Sequence, residues 1–267
     1  MKKEQVTRII YIIAIIAVLV LIGFLVYGVI QSKIYKVDNP IATIEVQDYG
    51  TIKVELYPDQ APNTVANFIK LANNGFYNGT TFHRTIPDFM IQGGDPNGNG
   101  TGNATLKNLD ENLEDKDYNI KGEFIANKVN NTLKLEKGVI AMGRSDYSAL
   151  NSSLATQGYN SASCQFFIMH GNQASIDGLY AGFGKVIEGL DIVDKIAETE
   201  VFYRESELTD GAEKPKDEEG NEISSDVPKN KPVITSITVE TNGVDYGMPE
   251  TLEPFDYYNW LMKSYQS

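Results

Sequence analysis

The sequence predicts a mainly β protein, a closed β-barrel capped at its ends by helices, standing behind one N-terminal transmembrane helix. Three observations carry this. Residues 9–30 form an unbroken apolar run. After residue 40, short apolar runs of strand length recur between breaks rich in Gly, Pro, Asn and Asp. Only two stretches in that part show helical periodicity, one early and one late, as a barrel with capped ends requires.

The N-terminal run comes first. From Ile9 to Ser32 no residue is charged. As a helix, residues 9–30 span about 33 Å at about 1.5 Å each, against a hydrocarbon core of about 30 Å. No polar face recurs at helical spacing, which a core helix of a soluble protein would show. A cleaved signal peptide has a shorter apolar centre, about 7–15 residues, and a small-residue cleavage site. Tyr27-Gly28-Val29-Ile30-Gln31-Ser32 offers no Ala-x-Ala pattern. An uncleaved single-pass anchor is expected, with secretion after cleavage as the alternative. Lys2, Lys3 and Arg8 precede the run, whereas Lys33 and Lys36 follow it. That modest bias puts residues 1–8 in the cytoplasm and the folded part outside it.

A polar stalk, residues 31–40, leads to the first strands. Residues 41–46 and 51–56 alternate, with Ile52, Val54 and Leu56 on one face and Lys53 and Glu55 on the other. Asp48-Tyr49-Gly50 supplies the turn, so the pair is a hairpin. Residues 61–74 follow as a helix: Pro62 suits its first turn, Val65, Phe68, Ile69 and Ala72 make its stripe, and Gly75 stands where the chain leaves it. Further strands are expected at 89–92, 138–142, 165–169, 182–187 and 233–240. A second helix is expected at 190–197, with Leu190, Val193 and Ala197 on its apolar face.

Three stretches interrupt the pattern. Residues 105–119 are polar and acidic, and residues 145–163 are rich in Ser, Asn and Gly. Residues 203–231, with Asp217-Glu218-Glu219, are expected to be a solvated insertion before the last strand. The domain is thus placed at 41–242. The tail, residues 243–267, holds Tyr257, Tyr258, Trp260, Leu261 and Met262, either a short helix packed back on the barrel or a docking element.

Charge limits the partners. The total is −13, and residues 1–36 carry four Lys and one Arg against one Glu, which leaves −17 for the remainder. An acidic domain does not bind nucleic acid through a basic surface. Cys164 is the only cysteine, so no disulfide or thiolate metal cluster can form within the chain. Asp95-x-Asn97-x-Asn99-Gly100 begins like a calcium loop, but Leu106 stands where a bidentate Glu belongs. His83 and His170 are the only histidines and lack Cys or His neighbours, so no metal is expected.

The most specific motif is Phe82-His83-Arg84-Thr85-Ile86-Pro87-Asp88-Phe89-Met90-Ile91-Gln92-Gly93-Gly94-Asp95. With it, in order, come Gly138-Val139-Ile140-Ala141-Met142-Gly143-Arg144, Gln165-Phe166-Phe167-Ile168, Ile176-Asp177-Gly178 and Phe183-Gly184-Lys185-Val186. Over about residues 41–241 the chain resembles the cyclophilin family of peptidyl-prolyl cis-trans isomerases, as a membrane-anchored, bacterial-like member. The resemblance implies a closed barrel of eight antiparallel strands with two capping helices, and an isomerase that needs no cofactor.

It also implies roles. Arg84 falls on the catalytic arginine. Phe89, Met90, Phe167 and Ile176 fall on the wall of the proline pocket, and Gln92 on the glutamine that binds the substrate backbone. Gly143 and Arg144 fall on the segment along which the peptide lies, and His83 is expected to stabilise the groove wall from behind. The chain departs from the pattern in places. Ser175 stands where many members have a rim tryptophan, which implies weak binding of cyclosporin. Tyr180 replaces a histidine and still walls the pocket. Gly143 replaces an alanine and Arg144 an asparagine, which widens the groove and adds charge beside it.

The expected activity is cis–trans exchange at X-Pro bonds of exported, still flexible chains, by a monomer whose partners are proline-containing polypeptides and the membrane. A peptide-binding chaperone or scaffold with little turnover is the alternative, and a surface adhesion module a weaker one. Retention of Arg84 argues for the enzyme, because binding alone does not need it.

Overall fold

A computed structural model describes residues 3–34, 38–208, 213–216 and 220–264. The chain divides near residue 38 into two compact units. The first is one helix, α1 (Lys3–Ile34). Within it, residues Ile10–Gly28 are long and apolar enough to cross a membrane, and none is buried. Lys2 and Lys36, two of the cations used to orient it, lie outside the described residues.

The second unit runs β1 (Ile41–Val46), β2 (Gly50–Leu56), α2 (Pro62–Asn73), β3 (Arg84–Ile86), β4 (Met90–Gly93), α3 (Leu106–Leu109), β5 (Asn119–Ile120) and β6 (Val139–Met142). It continues through α4 (Ala155–Tyr159), β7 (Phe166–Met169), β8 (Gly182–Glu188), α5 (Leu190–Ala197), β9 (Ile234–Glu240), β10 (Thr251–Leu252) and α6 (Tyr257–Ser264). Eight strands form one antiparallel sheet in the order β3-β4-β7-β6-β8-β2-β1-β9, and β5 pairs with β10 in a small ribbon.

The expected barrel is closed; the observed sheet is curled but open. No ladder joins its end strands β3 and β9. Single bonds bridge the seam instead: Gly79 N–H to Ile234 O at 2.8 Å, Ile234 N–H to Thr80 O at 2.8 Å, and Phe82 N–H to Pro232 O at 2.9 Å. The reason is local. β3 is only three residues long, and Pro232 has no N–H to return.

Alternation fixes the inner face. Ala42, Ile44 and Val46 of β1 and Ile52, Val54 and Leu56 of β2 are buried, while the residues between them are not. α2 lays Val65, Phe68, Ile69 and Ala72 on this core, and Phe68 meets Tyr77, Phe166 and Phe183 at centroid distances of 5.2–5.7 Å. Such a ring, replaced by alanine, costs about 3–5 kcal/mol. On α5 the buried face is Ile192, Val193, Ile196 and Ala197. Leu190, expected there, is 37% exposed because it opens the helix and stands clear of that stripe.

The interruptions are more structured than their composition suggests. Residues 105–119 contain α3, and residues 145–163 contain α4. The insertion at 203–231 is not simply solvated. Tyr203 and Asp226 are buried, and Thr85 N–H of β3 donates to Asp226 O at 3.0 Å. A strand edge with unpaired amide groups attracts a partner, and this segment is the partner. Asp217, Glu218 and Glu219 lie outside the described residues. The tail returns to the unit through β10, the Asn63–Glu250 hydrogen bonds and a 2.7 Å Lys116–Glu253 ion pair.

Candidate active site

Sheet register assembles the site. Arg84 faces Gln92, Gln92 faces Phe167, and Phe167 faces Ala141, so one row crosses β3, β4, β7 and β6 on the outer face. Met90, two residues from Gln92, shares that face. Thr85 and Ile91 point the other way and are buried. Phe167 and Ala141 of the row pack with Met90, Leu135, Val139 and Met169 into a second, smaller core that makes the floor of the site rigid.

The row opens into a cavity of about 140 Å³ lined by Arg84, Phe89, Met90, Gln92, Gly143, Arg144, Phe167, Ile176 and Tyr180. Nine of the ten sequence-derived site residues therefore surround one hollow. Its walls are braced. Tyr180 meets Phe167 edge-on at 5.3 Å. Ile176 sits on a short turn followed by Asp177, whose carboxylate accepts from Leu135 N–H at 2.8 Å. A neighbouring groove of about 440 Å³ shares Gln92, Gly143 and Arg144 and extends past Gly100, Ser145 and Tyr147.

The two arginines differ. Arg84 is 41% exposed on its side chain, and Nη2 stands 4.0 Å from Asp226 Oδ2. Arg144 is tied down: its guanidinium lies 4.6 Å from the Tyr180 ring centroid, 5.2 Å from Tyr159 and 5.6 Å from Phe124. Its Nε donates to Leu179 O at 3.0 Å and Nη1 to Ser145 O at 3.0 Å. The charge expected beside the groove is there, and it is also a structural strut. Gly143 N–H donates to Gln165 O at 2.8 Å.

Gln92 is oriented by a relay of amides. Its Nε2 donates to Gln165 Oε1 at 3.0 Å, and Gln165 Nε2 donates to Gly102 O at 3.0 Å and Gly100 O at 3.1 Å. The glycine loop is anchored in turn by Asp95, which accepts from the backbone N–H groups of Asn97, Asn99 and Gly100. Burial opposes ionisation of Asp95, but those amides outweigh it and hold its carboxyl below the usual range. The carboxylate that began the calcium-like pattern is therefore occupied by its own loop.

His83 lies outside the cavity lining and is 4% exposed. Burial holds its pKa below the usual value, and the attraction of Asp95 only partly offsets this. Cys164 is buried too, and burial, with Asp95 near it, pushes the thiol up to about 12, so it is not a nucleophile at neutral pH. Ser175 is exposed and does not line the cavity.

The sequence reading missed Gln165, Phe124, Tyr159 and Asp226. Gln165 stood inside a quoted motif and could have been assigned. Tyr159 and Phe124 reach Arg144 from 15 and 20 residues away in the chain and Asp226 reaches Arg84 from 142, and nothing local marks them.

The arrangement offers an apolar hollow, a fixed amide and one half-exposed cation; no nucleophile is placed among them. Comparisons agree with that chemistry. Residues 41–238 match the family described as cyclophilin type peptidyl-prolyl cis-trans isomerase/CLD. A Bacillus subtilis protein named peptidyl-prolyl cis-trans isomerase B is 38% identical over 157 residues, covering 59% of this chain and 90% of that one. A Rhizopus delemar protein named peptidyl-prolyl cis-trans isomerase-like 2 is 36% identical over 152 residues, but only 24% of its length is spanned. The crystal structure of a Cryptosporidium parvum cyclophilin type peptidyl-prolyl cis-trans isomerase, determined in the presence of the dipeptide Ala-Pro, superposes with a TM-score of 0.54 at 25% identity. It covers 75% of this chain and 98% of that one.

Proposed function

The chain belongs to the cyclophilin-type peptidyl-prolyl cis-trans isomerases and is an isomerase of X-Pro bonds; on that premise we propose that Arg84 is its catalytic cation and that it acts on exported chains outside the membrane. The single supporting observation is the meeting of Arg84 with Phe89, Met90, Gln92 and Phe167 around one cavity.

The mechanism follows from the amide. Twisting an X-Pro bond breaks resonance, at a barrier of about 18–20 kcal/mol. In the twisted state the proline nitrogen regains its lone pair and becomes a better hydrogen-bond acceptor. A guanidinium aimed at that nitrogen therefore binds the transition state more tightly than the planar ground state, and only such a difference accelerates the reaction. Arginine suits the task because it stays charged and donates from a rigid fork. The ring enters the hollow of Phe89, Met90, Phe167, Ile176 and Tyr180, Gln92 holds the peptide backbone, and the chain before proline lies along residues 143–144. No proton moves, and no cofactor takes part. The apolar helix α1 supports a membrane setting, and the modest excess of cations before it supports the extracytoplasmic side for the domain.

The test is Arg84→Ala in the full chain, in detergent, assayed on a proline peptide. The expected loss in kcat/KM is about 10²–10³-fold, typical for removal of one donor to a developing charge. Equal rates for the two proteins would reject catalysis by Arg84 and favour the scaffold.

A further inference from the structure

We infer that Asp226 is a positioning residue for Arg84, and that the insertion carrying it is a strap across the free edge of β3. This deepens the assignment of Arg84 above and rests on it.

β3 pairs with β4 on one side only. On its other side both backbone groups of Thr85, the residue after Arg84, are taken by the insertion. Thr85 N–H donates to Asp226 O at 3.0 Å, and Thr85 O accepts from Arg204 Nη1. The same Arg204 nitrogen lies 3.4 Å from Asp226 Oδ1, while the other carboxylate oxygen, Oδ2, lies 4.0 Å from Arg84 Nη2. One carboxylate thus stands between two guanidinium groups, the outer of which lines the cavity.

The carboxylate is fixed. Asp226 has φ +61°, a left-handed conformation that Asp tolerates better than most residues. Its N–H donates to Tyr203 O at 2.9 Å, Phe202 N–H donates to Val227 O at 3.0 Å, and Tyr203 Oη donates to Ile223 O at 3.0 Å. These bonds staple the two ends of the insertion together beneath β3. Exposure shows which partner leads: the Asp226 side chain is 6% exposed and Arg84 41%. A buried anion in a rigid turn is the reference; the arginine at the rim is the mobile member.

Geometry then divides the work. Asp226 engages Nη2 from behind, which leaves the other N–H groups of the Arg84 fork to face the hollow. At 4.0 Å the pair is loose enough for Arg84 to tilt toward a substrate, yet close enough to exclude outward rotamers. An arginine held this way loses less freedom when the substrate arrives, and preorganisation of that kind appears in turnover more than in binding.

A double-mutant cycle on the full chain in detergent tests this, with a protease-free proline-peptide assay. Asp226→Asn should lower kcat/KM about three- to tenfold, and Asp226→Glu should restore part of the loss. In an Arg84→Ala background, read at raised enzyme concentration, Asp226→Asn should have no further effect. Should Asp226→Asn fail to fold with Arg204 unpaired, Asp226→Asn with Arg204→Gln removes both charges and enters the same cycle. An unchanged rate in the folded variant, or the same loss with and without Arg84, overturns the inference. Either result leaves the role of Arg84 standing, whereas a wild-type rate for Arg84→Ala alone rejects that earlier assignment.

Discussion

Two arginines border one cavity, and their neighbours decide which can act. Arg144 sits over three rings with two of its donors bonded to backbone carbonyls, whereas Arg84 stands at the rim with only a 4.0 Å approach to Asp226. Identity of residue type would not have separated them; packing did. His83, next to Arg84, shows the same dependence on surroundings. Its buried ring has a pKa below the model-peptide value of 6.5, with Asp95 pulling it up and Lys231 and Arg84 adding to the depression. The unfolded chain therefore takes a proton at higher pH than the folded one. The stability His83 contributes is complete above about pH 6.5 and is lost as pH falls toward its folded value. Asp95, depressed below 3.8, keeps its contribution until more acidic conditions. Urea unfolding of wild type and His83→Gln between pH 7 and 5 should show the variant gaining relative stability as pH drops. A constant gap between the two across that range would refute the account.

At the scale of elements, α2 shows how much of a helix can be foreseen. Its apolar stripe and Pro62 start are visible in the sequence, and Gly75, at φ +75°, takes the chain away from its end. Its N-terminal amides are another matter. Ala61 provides no cap, and Glu123 arrives from about 60 residues away: Oε1 accepts from Asn63 N–H at 3.1 Å, and Oε2 accepts from Thr64 N–H at 2.8 Å and Thr64 Oγ1 at 2.7 Å. A buried carboxylate also suits the positive end of the helix. Glu123→Ala should destabilise the folded unit by about 2 kcal/mol. That corresponds to a fall in Tm of about 4–8 °C for a domain of this size, measurable by calorimetry. A shift below one degree would mean that water serves those amides equally well. The strands divide similarly. β1 and β2 alternate and β8 and β9 are seven-residue runs of strand character, so all four were legible. β3, β5 and β10 are two or three residues long and exist through their partners, so no local pattern announces them.

For the whole molecule, the apolar helix and the acidic remainder make opposite demands on solvent. None of residues 10–28 is buried, and leaving them in water would expose the 17 side chains of that span other than its two glycines. The full protein should sediment with membranes, resist carbonate extraction and be released by detergent. Recovery in the soluble fraction with Met1 intact would rule out an anchor. Sequencing the amino terminus of the membrane fraction separates an anchor from a cleaved leader.

The order of motifs along the chain was enough to gather nine residues at one hollow, because strand register carries short-range pattern into facing rows: Arg84, Gln92 and Phe167 lie opposite one another wherever those strands pair. Composition alone was enough to separate the apolar helix from the rest. What needed the tertiary structure was everything that depends on groups distant in sequence: the open seam between β3 and β9, the stack that disarms Arg144, the Glu123 cap, and the carboxylate of Asp226 behind Arg84. A buried hydrogen bond or ion pair is set by distance in space, and chain position fixes that distance only for near neighbours.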